Sequence, residues 1–347
     1  CPELEGAELE DQGHEGTALT HWEKRLFENE AMTGTHTQNP VYSRITLALL
    51  EDTGWYLPNY EMAQPLSWGR GLGCEFAMRS CKDWMDSRSL QGLSIHPFCN
   101  KVKLDPLQTE CTEDRASVAL CNLVEHGSDL PAQYKNFLRI PNVADSEVGR
   151  FGGSVVLADY CPYIQEFTWK SQNKFVRGSH CLYEDNNPVE DLNFALEEYG
   201  ENSKCFEHPE NRRWVEKTCA LKRHWEHWGS GCYQYLCFDG RLHVMVKNHT
   251  FTCYYPGQLI SISLFANGWL HEGAIVCPKC EDLCTTYRMK CLAPRTVPRQ
   301  VTYHRDALEC SASQISALAA FLAALLGFFT TTAITSLLML PAINGFG

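Results

Sequence analysis

The chain has 347 residues, 44% of them hydrophobic, and a formal charge of -12 from 30 basic and 42 acidic side chains. Length and apolar content allow about two packed domains, while the acidic balance leaves no basic footprint for a nucleic acid partner. Eighteen cysteines, irregularly spaced from Cys74 to Cys310, point to a disulfide framework made in an oxidising compartment rather than to tandem zinc fingers.

Carboxylates far outnumber Lys24 and Arg25 between Glu3 and Glu30, a composition that reads as a solvated face. His21 and Met32 stand within this run, followed by the small residues Thr33-Gly34. A neutral imidazole is the commonest protein ligand for zinc, and a turn at Thr33-Gly34 would tuck the Met32 thioether beneath a metal held by His21. By themselves, the two residues fit a surface histidine and a core methionine better. Farther on, Asn39-Pro40 predicts a helix start, with Val41, Ile45, Ala48 and Leu49 on one apolar stripe before Gly54. That helix would brace the preceding turn without taking part in chemistry.

Beyond Cys74, short apolar runs alternate with Gly, Pro, Asn and Cys, which predicts a loop-rich, mainly β domain with little helix. Strands are expected at residues 154–158, 232–237, 242–246 and 259–264, with Asp239-Gly240 as a hairpin turn. The CxxC spacing at Cys277, Cys280 and Cys284, with Cys291 beyond, is one that zinc thiolate sites use; the cysteine load favours disulfides. His224 and His227 lack a third ligand in reach and read as an aromatic surface patch suited to a partner. Asn248-His249-Thr250 is a glycosylation sequon at Asn248. Residues 295–305 turn polar and basic, as a linker would. Residues 315–340 then contain no charge and, at about 1.5 Å per residue, are long enough to cross a bilayer core of about 30 Å. No charged residue follows them, so the usual basic cytoplasmic flank of a spanning helix is missing. A cleaved lipid-anchor signal with its attachment site at Ser311, Ala312 or Ser313 is therefore slightly favoured over a single span, although its polar spacer is short.

The run from Leu4 to Gly13, then Glu15-Gly16-Thr17, His21-Trp22 and Glu30-Ala31-Met32, resembles the leishmanolysin family of zinc metallopeptidases. The resemblance continues through Trp68-Gly69-Arg70, Gly73-Cys74 and the later cysteines. It implies a metzincin-like fold in which an HExxH helix supplies two zinc ligands and a general-base glutamate. His21 would be the third ligand to one catalytic zinc, Met32 the Met-turn residue, and Thr33, Gly34 and Thr35 the wall of the substrate pocket. The departure lies in the motif: no HExxH occurs in these residues. His14-Glu15-Gly16-Thr17-Ala18 and His271-Glu272-Gly273-Ala274-Ile275 both lack the second histidine, and His14 reads as an exposed loop residue.

The expected architecture is thus α+β. Residues 1–73 would end a metzincin-like catalytic domain, 74–305 would form a cysteine-rich, mainly β domain, and 306–347 a linker and membrane-anchor segment. The expected function is that of a zinc metalloendopeptidase acting on protein or peptide substrates. It would be held at a membrane on the extracellular side by a GPI anchor, as the family's parasite members are, or by a single span. This chain would be a carboxy-terminal portion, inactive alone for want of the general-base glutamate. The alternatives are a non-catalytic, membrane-displayed, cysteine-rich adhesion protein and an intracellular, cytoplasmic zinc protein.

Overall fold

The computed structural model describes residues 1–310 apart from 36, 38, 172–173, 225 and 285–288. The architecture mixes helix with several small sheets. The helices Lys24–Phe27, Arg44–Asp52, Cys74–Met78 and Cys81–Leu90 precede every strand, and strands dominate from Glu110–Cys111 onward.

The helix expected from Asn39-Pro40 exists but starts later, at Arg44–Asp52, capped by Ser43 Oγ, which accepts from the Ile45 N–H at 3.2 Å. Residues before it are held extended. Val41 bridges Glu30, with Ala31 N–H donating to Val41 O and Val41 N–H to Asn29 O, both at 2.8 Å. Backbone pairing therefore outcompetes helix initiation until a capping hydroxyl is reached. The expected apolar stripe is not the buried face: Thr46 is the helix's buried residue and Leu49 is exposed.

From Cys74 onward the described α-helices are short, as expected: Cys74–Met78, Cys81–Leu90 and Cys280–Cys284. Ser80 caps the N-terminus of Cys81–Leu90, and Cys81, Trp84 and Met85 bury one face against Phe76, Phe98 and Tyr163. One strand expectation fails. Residues 154–158 are no strand; Val156–Ala158 is a 3₁₀ turn after the short strand Phe151–Gly153. The chain reverses there through Asp159 and Tyr160, both at positive φ. A side chain at Gly153 would lie 2.4 Å from the Cys161 carbonyl oxygen, so only glycine permits this close return.

The other predicted strands form. Two four-stranded antiparallel sheets carry them. One orders His249–Thr252, Arg241–Val246, Ser230–Phe238 and Ser203–Glu207; the other orders Lys222–His224, Val215–Lys217, Trp269–Val276 and Leu259–Ala266. Phe206, Tyr233, Val244 and Phe251 of the first share one core with Ile260, Ile262, Leu264 and Ile275 of the second. Asp239-Gly240 is the tight hairpin turn, with both residues at positive φ and Phe238 opposite Arg241, as a type I′ turn requires.

All eighteen cysteines pair, in nine disulfides, and none is free. Cys111–Cys205 and Cys181–Cys232 stitch the two-sheet unit to the middle of the chain. Residues 295–305 are not a loose linker. Tyr303 packs on Phe251 and its hydroxyl donates to Thr252 O at 2.6 Å, Asp306 N–H donates to Ser263 O at 2.8 Å, and Cys310 is bonded to Cys219. Among the described residues no helix is long and apolar enough to cross a membrane. The apolar stretch 315–340 and the expected attachment residues Ser311, Ala312 and Ser313 lie outside the described residues.

Candidate functional site

The loop that carries His21 is a close-packed turn. Thr17 N–H donates to His14 O at 2.9 Å, and the Thr17 methyl fills the space that side chains would take at Gly13 and Gly34, each with a would-be Cβ 2.9 Å from it. Glycine at both positions thus lets the His21 loop settle against the segment Thr33-Gly34-Thr35. His14 is exposed, as expected.

His21 Nδ1 lies 3.0 Å from Thr17 O. Thr20 Oγ1 also lies 3.0 Å from Nδ1; in the tautomer that carries the proton on Nδ1 and donates it to the Thr17 carbonyl, which only accepts, Nε2 keeps its lone pair. No partner for Nε2 occurs among the described residues. Tethering one ring nitrogen to a carbonyl is how metal-binding histidines are usually oriented.

Trp22 N–H donates to Met32 O at 3.0 Å, within a parallel bridge between Trp22 and Thr33. The fold therefore sets the His21-Trp22 backbone directly beside Met32-Thr33. The Met32 side chain is 40% exposed. Thr33 is buried and donates to Glu30 O at 2.9 Å, while Gly34 and Thr35 are half-buried.

Glu30 holds this corner together. Its buried carboxylate accepts from Met32 N–H at 2.5 Å, Ser43 N–H at 3.1 Å, Ser43 Oγ at 3.2 Å and Thr46 Oγ1 at 2.5 Å. Trp22 Nε1 also reaches Thr46 Oγ1, at 2.9 Å. The helix Arg44–Asp52 thus braces the Met32 turn through its N-terminal hydroxyls, where a carboxylate is favoured.

Beneath the His21 loop lies a charged group that composition alone concealed. The reading of residues 3–30 as a solvated face holds for Glu3, Glu5, Glu8 and Glu15 but fails for Glu10, Glu23 and Glu30, which are buried. Arg25 donates to Asp159 Oδ2 at 3.1 Å and to Arg79 O at 3.1 Å, with Glu8 at 3.5 Å. Glu10 accepts from Gln12 N–H at 2.9 Å, and Glu23 accepts from Arg25 N–H at 3.0 Å. Burial, reinforced by the Glu10 carboxylate, pushes the Glu23 carboxyl up to about 8. Glu10 and Asp159 are also raised, mainly by burial. The Arg25 side chain, bridging three separate chain segments, had no local sequence signal because its partners lie far along the chain.

Cys277, Cys280, Cys284 and Cys291 are all disulfide-bonded, to Cys253, Cys291, Cys237 and Cys280 respectively, so the thiolate zinc reading is overturned. His224 is exposed on a strand, whereas His227 Nδ1 accepts from Leu107 N–H at 2.9 Å and its ring packs tilted against Trp169; the two are not a ligand pair on a helix. Asn248 is exposed in the turn joining Arg241–Val246 to His249–Thr252, an accessible place for a glycan. A cavity of about 50 Å³ is bordered by Glu28, Thr37, Trp68, His96 and Glu166. There burial opposes charge on His96, but the paired Glu113 carboxylate outweighs it and raises the imidazole.

A disulfide-rich α+β protein with an oriented histidine beside a braced methionine turn is the class that the fold and site define. The family model described as Leishmanolysin, peptidase M8, matches residues 1–291. The chain is 62% identical over 316 residues to the leishmanolysin-like peptidase of Drosophila pseudoobscura pseudoobscura, covering 90% of this chain and 46% of that protein. Similarity to the Drosophila melanogaster leishmanolysin-like peptidase is 60% identity over 334 residues, 95% of this chain and 49% of the relative. For the Caenorhabditis elegans leishmanolysin-like peptidase the figures are 51% over 306 residues, 86% and 45%. The chain belongs to the leishmanolysin family of metallopeptidases. It spans about half the length of the curated relatives it matches.

Proposed function

We propose that this chain is the carboxy-terminal portion of a zinc metalloendopeptidase that hydrolyses peptide bonds in protein substrates. The observation that carries the reading is His21: its Nδ1 is tethered to Thr17 O and Thr20 Oγ1, its Nε2 has no partner among the described residues, and its backbone neighbour is bonded to Met32. That donor fits one zinc ligand. Zinc, when bound, supplies Lewis acidity and lowers the pKa of a coordinated water to about 7. In this reading His21 Nε2 would hold the zinc, Met32 would form the apolar floor of the site, and Thr33, Gly34 and Thr35 would wall the substrate pocket. With no HExxH in these 347 residues, the reading assigns the other two histidines and the general-base glutamate to a segment outside this sequence. Residues 1–73 would close the catalytic domain, residues 74–305 would support it, and residues 306–347 would attach the protein to a membrane at the extracellular side.

The test compares this chain with a version extended upstream through an HExxH helix, each with and without His21→Ala. The extended protein should bind one zinc and cleave a denatured protein substrate, His21→Ala should abolish both, and this chain alone should do neither. A folded extended protein whose zinc content and cleavage ignore His21→Ala would sink the assignment.

A further inference from the structure

We infer that the outer face of the sheet containing Val215–Lys217 is a binding groove for a linear sulfated polysaccharide. The groove encloses about 800 Å³ between the turn at Glu210–Arg212 and the strap at residues 305–307. Five cations line it: Arg212, Arg213, Lys217, Lys222 and Arg305. Only three carboxylates share the lining, Glu210, Glu272 and Asp306, and two of these are engaged. Glu272 pairs with Lys217, so these two charges offset each other; Arg212, Lys222 and Arg305 carry the positive face, with Arg213 set over the Trp228 ring at 4.6 Å. Asp306 accepts from the Phe265 N–H at 2.7 Å and contacts His304.

A local positive surface on a chain of charge -12 is not explained by composition. Nor is it explained by sheet stability. Lys217 and Lys222 are direct cross-strand partners, an arrangement in which like charges repel, and Glu272 offsets only Lys217. Ser261 and Ser263 also line the groove; Arg212 donates to Ser261 Oγ at 2.5 Å, and the Ser263 hydroxyl donates to Asp306 O at 2.8 Å, which holds the strap along the channel.

The lining also decides between polyanions. A peptide docks through buried aromatic or aliphatic anchors, and this groove offers little beyond Val215, Ile262 and Ala307. Repeated cations along an open channel suit a ligand recognised through regularly spaced sulfates, with guanidinium forks matching oxyanions. The nine disulfides place the protein in an oxidising compartment, where extracellular sulfated polysaccharide is encountered. The site is independent of the peptidase reading and shares no residue with the segment from His21 to Thr35.

The experiment measures binding of a heparin octasaccharide to the whole chain by calorimetry over a range of salt. The expected result is binding that weakens as added salt shortens the Debye length. Lys222→Glu with Arg305→Glu should weaken it at least about tenfold. Lys82→Glu with Arg139→Glu, the same charge change at exposed or half-buried positions outside the groove, should alter it less than about twofold. Equal loss in both double variants would mean that net charge alone governs binding, and unchanged binding in the groove variant would remove the site; either overturns the inference. Tighter capture of phosphatidylserine vesicles or of polyglutamate than of heparin overturns it in favour of a lipid or an acidic peptide. Circular dichroism of each variant confirms that the compared proteins are folded.

Discussion

A carboxylate deprived of water persists only where donors surround it, and Glu30 gathers four: the Met32 and Ser43 N–H groups and the Ser43 and Thr46 hydroxyls. Glu30→Ala would leave buried donors unpaired, so the chain should lose about 3 kcal/mol of stability, read from the urea midpoint and slope. A negligible change would show that the turn is held by other contacts. Glu23 makes a different prediction. Its carboxyl titrates near 8 in the fold against about 4.3 in an unfolded chain. The folded state therefore binds the proton more tightly, and its contribution to stability is fully present below the unfolded value. It is lost as pH rises from about 4.3 to about 8. Between pH 5 and pH 8 the native chain should weaken more than Glu23→Gln, which has no such proton to release. Parallel urea midpoints for the two proteins would contradict this.

At the scale of elements, the braced turn and the strap work alike: a short irregular segment is made rigid by pairing with an element distant in sequence. The strap's ties are Cys219–Cys310, 91 residues apart, with Tyr303 and Asp306 bonded to strand backbones. Replacing both cysteines by serine removes a long loop constraint and should cost about 2–4 kcal/mol. The same change should open residues 303–310 to proteolysis before the two-sheet core unfolds. Cleavage that begins elsewhere, or a strap as resistant as in the parent, would show that the tyrosine and aspartate contacts suffice. The two-sheet unit was the most legible element in the sequence. Its strands alternate buried and exposed residues, as in Leu259–Ala266, and its turn uses Asp239-Gly240. Residues 154–158 misled because an apolar run five residues long does not reveal that a glycine pair and two positive-φ residues turn the chain back.

Across the whole molecule, cross-links rather than one large core join the parts. Separate apolar clusters form around Trp68 and Tyr163, around Leu123 and Ile140, and between the two sheets. Nine disulfides connect or reinforce them. Thiol titration of the denatured, unreduced protein should therefore find essentially no free thiol, and a substantial count would contradict the cross-linked fold. Expressed through a secretory route, the chain should gain one glycosidase-sensitive mass increment that Asn248→Gln removes; an unmodified product would show that the exposed turn is not used.

Residue identities by themselves determined the oxidising framework, the later strands with their hairpin and, through the segments around His21 and Met32, the family. These are properties of composition, of period-two patterning and of short local motifs, all carried by neighbours in the chain. Tertiary structure alone decided which cysteines pair, which glutamates are buried and where the cations gather. It also placed Arg25 against Asp159, Glu30 against Thr46 and Lys217 beside Lys222. Burial and charge pairing depend on partners brought together from distant parts of the chain. A linear reading sees the same acidic residues whether water or an arginine will surround them.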